Sequence, residues 1–156
     1  MSNLDDLYRE IILDHYRSPR NRGELPPPAH RTEGFNPLCG DEIVVYAQVQ
    51  DGVLRDIKLT GQGCSISQSS SSLMSAAVKG KSLEQVRETI ANFKELMTSP
   101  DATSSDRVTT GTPDATLRRL GELAALAGVV KFPVRIKCAT LAWNTLSQAL
   151  DEIDSY

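Results

Sequence analysis

Two alternating segments joined by Asp51-Gly52 constrain the fold more than any other part of this sequence. Ile43, Val45, Ala47 and Val49 alternate with Glu42, Val44, Tyr46 and Gln48, the period of two expected of a half-buried strand. Asp51-Gly52 is a hairpin turn signal, because both positions tolerate the positive φ that such turns require. VLRDIKLTG then continues with Val53, Ile57 and Leu59 as the second strand. A third strand near residues 34–38 or 130–136 would complete a small antiparallel sheet.

Helical patterns flank this hairpin on both sides. Leu4, Leu7, Tyr8, Ile11, Ile12 and His15 recur at three- and four-residue spacing, Asp5 and Asp6 suit a first turn, and Pro19 stops the helix. RSPRNRGELPPPAH is a breaker-rich connection. From Cys64 the chain turns helical through SISQSSSSLMSAAV, whose small side chains suit close packing, and Gly80 ends that run. Ser82 can cap a following helix carrying Leu83, Val86, Ile90, Phe93 and Met97 on one side. Another helix is expected over 115–127. VVKFPVRIK reads as extended because Pro133 opposes a helix interior, so the last helix is expected to begin near Cys138 with Ala142, Leu146, Ala149, Leu150 and Ile153 as its buried stripe. The resulting class is α+β, a three-stranded antiparallel sheet packed against several helices. Residues 1–156 read as a single domain, with TSPDATSSDRVTTGTP (98–113) as a polar loop insertion.

Size and composition narrow the function classes. A 156-residue chain buries roughly 70% of its unfolded surface and needs no disulfide staples. Its apolar runs are too short to span a membrane. A net charge of −3 lacks the basic footprint of a nucleic-acid binder. The opening MSNLDDLYRE carries acidic residues where a signal peptide needs a basic segment and then an apolar one, which predicts a cytoplasmic protein.

Three cysteines remain, too few and too odd in number for a disulfide framework. Each falls at a joint: Cys39 in a turn before the first hairpin strand, Cys64 after the second, and Cys138 before the last helix. Cys64 and Cys138 are thereby expected at helix N-termini, where the dipole favours thiolate. In Cys39-Gly40-Asp41 a thiol and a carboxylate separated by one glycine can point at one centre. Cys39, Asp41, Cys64 and Cys138 would form a tetrahedral set suited to zinc, or the labile seat of a two-iron cluster. Four ligand charges against the two of zinc leave an anionic excess that Arg135, Lys137 and Lys131 could offset. The competing readings are inert buried thiols and an Asp41 that only forms the turn. His15 is expected to pack or hydrogen-bond, His30 to be exposed, and Trp143 to sit in the core. Spacing alone leaves the function open.

Longer motifs add a resemblance. Asp14-His15-Tyr16-Arg17-Ser18-Pro19-Arg20-Asn21-Arg22-Gly23, followed by Asn36-Pro37-Leu38-Cys39-Gly40-Asp41, resembles the opening of the NifU N-terminal-domain family of iron–sulfur cluster assembly proteins. Gly61-Gln62-Gly63-Cys64-Ser65-Ile66-Ser67 and Arg135-Ile136-Lys137-Cys138-Ala139-Thr140-Leu141-Ala142-Trp143 resemble its second and third cysteine motifs. IscU-type members carry a histidine before the third cysteine and a Leu-Pro-Pro-Val-Lys segment upstream. Here Lys137 and Phe132-Pro133-Val134-Arg135 stand in those places, and extra residues separate the second and third cysteines. These departures resemble the SufU-type branch.

That resemblance implies a zinc-dependent sulfurtransferase acting as co-substrate or activator of a pyridoxal-phosphate cysteine desulfurase of the SufS type. It implies zinc on Cys39, Asp41, Cys64 and Cys138. Cys39 would be released when a partner group takes its coordination place, accept the persulfide sulfur, and pass it to a SufBCD-type complex. Arg135 and Lys137 would contact the partner or balance charge. The alternative it implies is an IscU-like scaffold on which a labile [2Fe–2S] cluster is assembled.

Overall fold

The structure, a computed structural model, describes residues 2–37, 40–98, 125–126 and 133–154. The described elements run in the order α1 (Ser2–Arg17), β1 (His30–Asn36), β2 (Asp41–Gln50), β3 (Val53–Gln62), α2 (Ser65–Val78), α3 (Leu83–Thr98) and α4 (Pro133–Asp154). The strands form one antiparallel sheet in the order β1-β2-β3, so the third strand overlaps the first of its two expected places but starts four residues earlier, at His30. Among the described residues, no helix is long and apolar enough to cross a membrane.

Asp51 (φ 55°) and Gly52 (φ 72°) both take the left-handed conformation, the backbone that a tight two-residue hairpin demands. The apolar side of β3 differs by one residue from the expectation. Leu54, Ile57 and Leu59 are buried while Val53 is half-buried. Arg55 is an extra residue in β3, set against the Gln48–Val49 step of β2, and this bulge shifts the register and turns Leu54 inward.

Ile43, Val45 and Ala47 of β2 and the buried residues of β3 meet Leu73, Met74 and Val78 of α2, Val86, Ile90 and Phe93 of α3, and Trp143, Leu146 and Leu150 of α4. Trp143 is fully buried and stacks on Phe93, with ring centroids 4.2 Å apart and planes at 11°. Its indole Nε1–H donates to Ser70 Oγ (2.9 Å), and Ser70 Oγ donates to the Ala139 carbonyl (2.5 Å). One hydroxyl thus fixes α2 against α4. Other serines of the same run tie α2 to the N-terminal segment. Ser69 donates to the Ile12 carbonyl, Ser72 accepts from the Arg20 amide and bonds the buried His15 ring, and Ser75 accepts from Asn21. Ser82 and Gln85 cap α3 reciprocally, each side chain accepting the other's amide at 3.1 Å.

Two expectations are corrected. Helix α4 begins at Pro133, not near Cys138, so Arg135, Ile136 and Lys137 are helical. Proline lacks an N–H, but a first-turn residue needs none, and its fixed φ suits that position. His30 is half-buried, not simply exposed, because β1 passes beside the end of α4. His30 Nε2–H donates to Glu152 Oε1 (2.6 Å), which also accepts from Thr32 Oγ1 (2.8 Å).

These bonds from His30, Gln148 and Thr32 lower the Glu152 carboxyl from 4.5 to about 2. A carboxyl depressed in the folded state stabilises the protein fully above its unfolded value, and that contribution is lost as pH falls through the folded value. Glu152→Gln is therefore expected to lower Tm at neutral pH and to converge with the parent as pH falls from 4.5 to about 2. A constant Tm offset across that range would remove the carboxylate charge from the account.

The expected helix over 115–127 lies outside the described residues apart from Ala125 and Leu126, which are buried. The polar loop beyond Thr98, Lys131 and Cys39 also lie outside them.

Candidate metal centre

Sheet register places the first ligand candidate. Asn36 pairs with Asp41 across β1 and β2, and Glu42 pairs with Gln62 across β2 and β3. Asp41 therefore sits at the sheet end where β3 leaves for α2, and it is fully buried. Its Oδ1 accepts the Cys64 amide at 3.0 Å, leaving Oδ2 to face the Cys64 thiol at 4.0 Å. One carboxylate oxygen is thus used for orientation and the other is directed toward sulfur.

Cys64 is the N-cap residue of α2, and its Sγ accepts the Ser67 amide at 3.5 Å. Gly63, just before it, lies so close to Asp41 that a side chain there would meet the Asp41 carboxylate and Ser67 Oγ. The glycine beside Cys64 thus lets the backbone come close to the candidate ligand Asp41 itself. Cys138 arrives from α4, which packs on α2, β1 and β2, and it is buried. With α4 starting at Pro133, Cys138 lies in the second turn, so the helix-dipole argument applies to Cys64 and not to Cys138.

The oxygen of Asp41 and the sulfurs of Cys64 and Cys138 all lie within 4.8 Å of one another. Zn–S bonds of about 2.3 Å place tetrahedral ligand atoms about 3.8 Å apart, so a contraction of about 1 Å would seat a small soft-to-borderline cation. Sulfur with one carboxylate oxygen suits zinc or iron better than magnesium or calcium, which take oxygen-only cages. Cys39 stands two residues before Asp41 in the chain, outside the described residues. Arg135 and Lys137 are exposed on α4 beside Cys138. Sequence reasoning missed the anchoring role of Ser70, since a hydroxyl within a serine run carries no signal of its tertiary partner.

Residues 7–154 match the family described as the NifU-like N terminal domain. The chain belongs to that family. This NifU-like domain is 39% identical over 149 residues to the zinc-dependent sulfurtransferase SufU of Bacillus subtilis (strain 168), covering 96% of this chain and 92% of the relative. It is 37% identical to the iron–sulfur cluster assembly scaffold protein IscU of Streptococcus pyogenes serotype M1, covering 96% and 86%. The crystal structure of FiSufU from Fervidobacterium islandicum AW-1, a candidate cluster assembly scaffold for the SUF system, superposes with a TM-score of 0.76 at 29% identity, covering 90% of this chain and 94% of that one. A NifU-like N-terminal protein from Brucella abortus shares the fold, with a TM-score of 0.78 at 20% identity over 97% of each chain. The NifU-like domain is thus an iron–sulfur cluster assembly protein of α+β fold.

Proposed function

We propose that the chain is a zinc-dependent sulfurtransferase of the SufU type, accepting sulfur from a SufS-type cysteine desulfurase and delivering it to a SufBCD-type assembly complex in the cytoplasm. The observation that carries this reading is the convergence of Asp41, Cys64 and Cys138 to within 4.8 Å. The 39% identity to the Bacillus subtilis sulfurtransferase supports it. In this reading residues 1–156 act as one domain with an inserted polar loop at 98–113, and Cys39 joins the other three as the fourth zinc ligand.

Zinc supplies a charge that keeps its sulfur ligands deprotonated without redox activity. Cys39 is the acceptor. Its thiolate attacks the terminal sulfur of the donor persulfide, the donor S–S bond breaks, and the desulfurase cysteine leaves as thiolate while Cys39 retains the sulfur as a persulfide. Asp41 would supply one oxygen to the metal, while its other oxygen accepts the Cys64 amide. Arg135 and Lys137 offset the anionic excess or meet the partner.

Desulfurase turnover in the presence of excess thiol reductant tests the proposal. Zinc-loaded protein is expected to stimulate turnover strongly, and chelator-stripped protein is expected not to. Asp41→Ala is expected to lose zinc to a competing chelator at least about tenfold faster, because a ligand contributes no less than the outer-shell groups around a metal. Retention equal to the parent would remove Asp41 from the ligand set.

A second reading, a [2Fe–2S] assembly scaffold, is favoured by the 37% identity to the streptococcal IscU. It predicts no zinc-dependent stimulation, with an absorbing cluster formed when iron, cysteine and desulfurase are supplied anaerobically.

A further inference from the structure

Arg22 lies outside the ligand set, on the segment between α1 and β1, yet its side chain closes over the loop that presents Cys64. Nη2–H donates to the Gly61 carbonyl at 2.6 Å, and Nη1–H donates to Gln68 Oε1 at 2.8 Å. Gly61 precedes the Gln62-Gly63-Cys64 connection and Gln68 follows it on α2. The Gln68 amide in turn donates to the Cys64 carbonyl at 3.0 Å. One guanidinium therefore bridges both ends of a connection whose middle holds the Cys64 amide on Asp41.

The arginine is itself well anchored. The Gly23 amide donates to the Leu59 carbonyl and the Leu59 amide donates to the Asn21 carbonyl, both at 2.9 Å, so residues 21–23 add a short parallel rung beside β3. Asn21 Nδ2–H donates to Ser75 Oγ at 3.0 Å, tying the same segment to α2. A planar fork offers donors on two separate nitrogens at a fixed angle to two fixed acceptors, whereas an ammonium must meet both from one nitrogen on a flexible stem.

We infer that Arg22 is a positioning residue for the metal centre, a two-pronged staple that holds the Gly61–Cys64 connection so that the Cys64 thiol and the Asp41 carboxylate stay in register. The inference rests on the zinc reading above for its metal readout, and its second readout is independent of metal.

The test compares the full chain with Arg22→Ala, Arg22→Lys, Gln68→Ala and the Arg22→Ala/Gln68→Ala pair. Zn²⁺ release to a chelator is measured on loaded protein, and amide hydrogen exchange by NMR on metal-free protein. Arg22→Ala is expected to release Zn²⁺ about tenfold faster, the lower range for outer-shell partners of a metal. The Cys64 amide is expected to exchange about tenfold faster, with the amides of the β2–β3 ladder unchanged. Arg22→Lys is expected to behave nearly as Arg22→Ala, and the pair to be no worse than Arg22→Ala alone. Unchanged release and unchanged Cys64 exchange in Arg22→Ala would overturn the inference. Full rescue by Arg22→Lys would also overturn it, by reducing the role to charge. Should Arg22→Ala fail to fold, Arg22→Lys and Gln68→Ala carry the same comparison. Failure of the parent itself to hold Zn²⁺ would instead count against the sulfurtransferase reading, leaving the exchange result to decide on Arg22.

Discussion

Replacing Cys39 with alanine is expected to return desulfurase turnover to the level of the enzyme alone, while the protein remains folded. Removing a nucleophile eliminates the step it performs, so sulfur acceptance falls by at least about a hundredfold. Among the described residues, the core is the apolar contact of β2 and β3 with α2, α3 and α4, centred on the Phe93–Trp143 stack and the Ser70 bridge. Asp41, Cys64 and Cys138 remain as three candidate ligands in the substituted protein. Turnover, zinc content and Tm measured on one preparation check the prediction. A zinc-stabilised interaction domain without transfer chemistry would lose Tm and stimulation together, and that pattern would overturn the role of Cys39.

Gly63→Ala is the second large effect. A Cβ at this position would stand 2.5 Å from Asp41 Oδ1, 3.0 Å from Asp41 Cγ and 3.0 Å from Ser67 Oγ. Real Cβ atoms do not approach that closely, so the carboxylate, the α2 N-terminus or both must move. The carboxylate has little room to leave, since Asp41 is fully buried. Displacing it breaks the Cys64 amide bond at 3.0 Å, and an unsatisfied buried polar group costs about 1–3 kcal/mol. The same movement takes Oδ2 away from the two thiols. Zinc affinity is expected to fall by about 10–100-fold, accompanied by a loss of stability in the metal-free protein. Chelator competition and denaturant titration check both parts. Parent-like zinc affinity in Gly63→Ala would show that Asp41 is not held in place by the close approach of this loop.

Much of the architecture was legible because its causes are local. The alternation of Ile43, Val45 and Ala47 and the turn preference of Asp51-Gly52 define the hairpin within about ten residues of chain. Ser82 could be read as a cap because the orphan amides of a helix start lie three residues away. Not every feature followed from its local pattern. Leu54 replaced Val53 because a bulge at Arg55, which only the pairing with β2 defines, changed the register. His30 gained Glu152 from the far end of α4. Pro133 opens α4, because the ring that breaks a helix interior is well suited to a first turn.

The centre divides along the same line. Cysteine spacing, the Cys39-Gly40-Asp41 turn and the motifs around Cys64 and Cys138 identified the candidate ligands from residue types alone. Which of them meet depended on packing. Sheet register places Asp41 against the start of α2, and the Ser70 hydroxyl locks α4 beside it so that Cys138 reaches the same point. The amino-acid sequence by itself determined the hairpin, the helices of strong period and the donor chemistry, because these arise from neighbours along the chain. Only the tertiary structure decided the convergence of Asp41, Cys64 and Cys138 and the staple of Arg22 over their loop. Those contacts join residues far apart in sequence, and long-range packing around the Trp143 core, not local propensity, sets their distances.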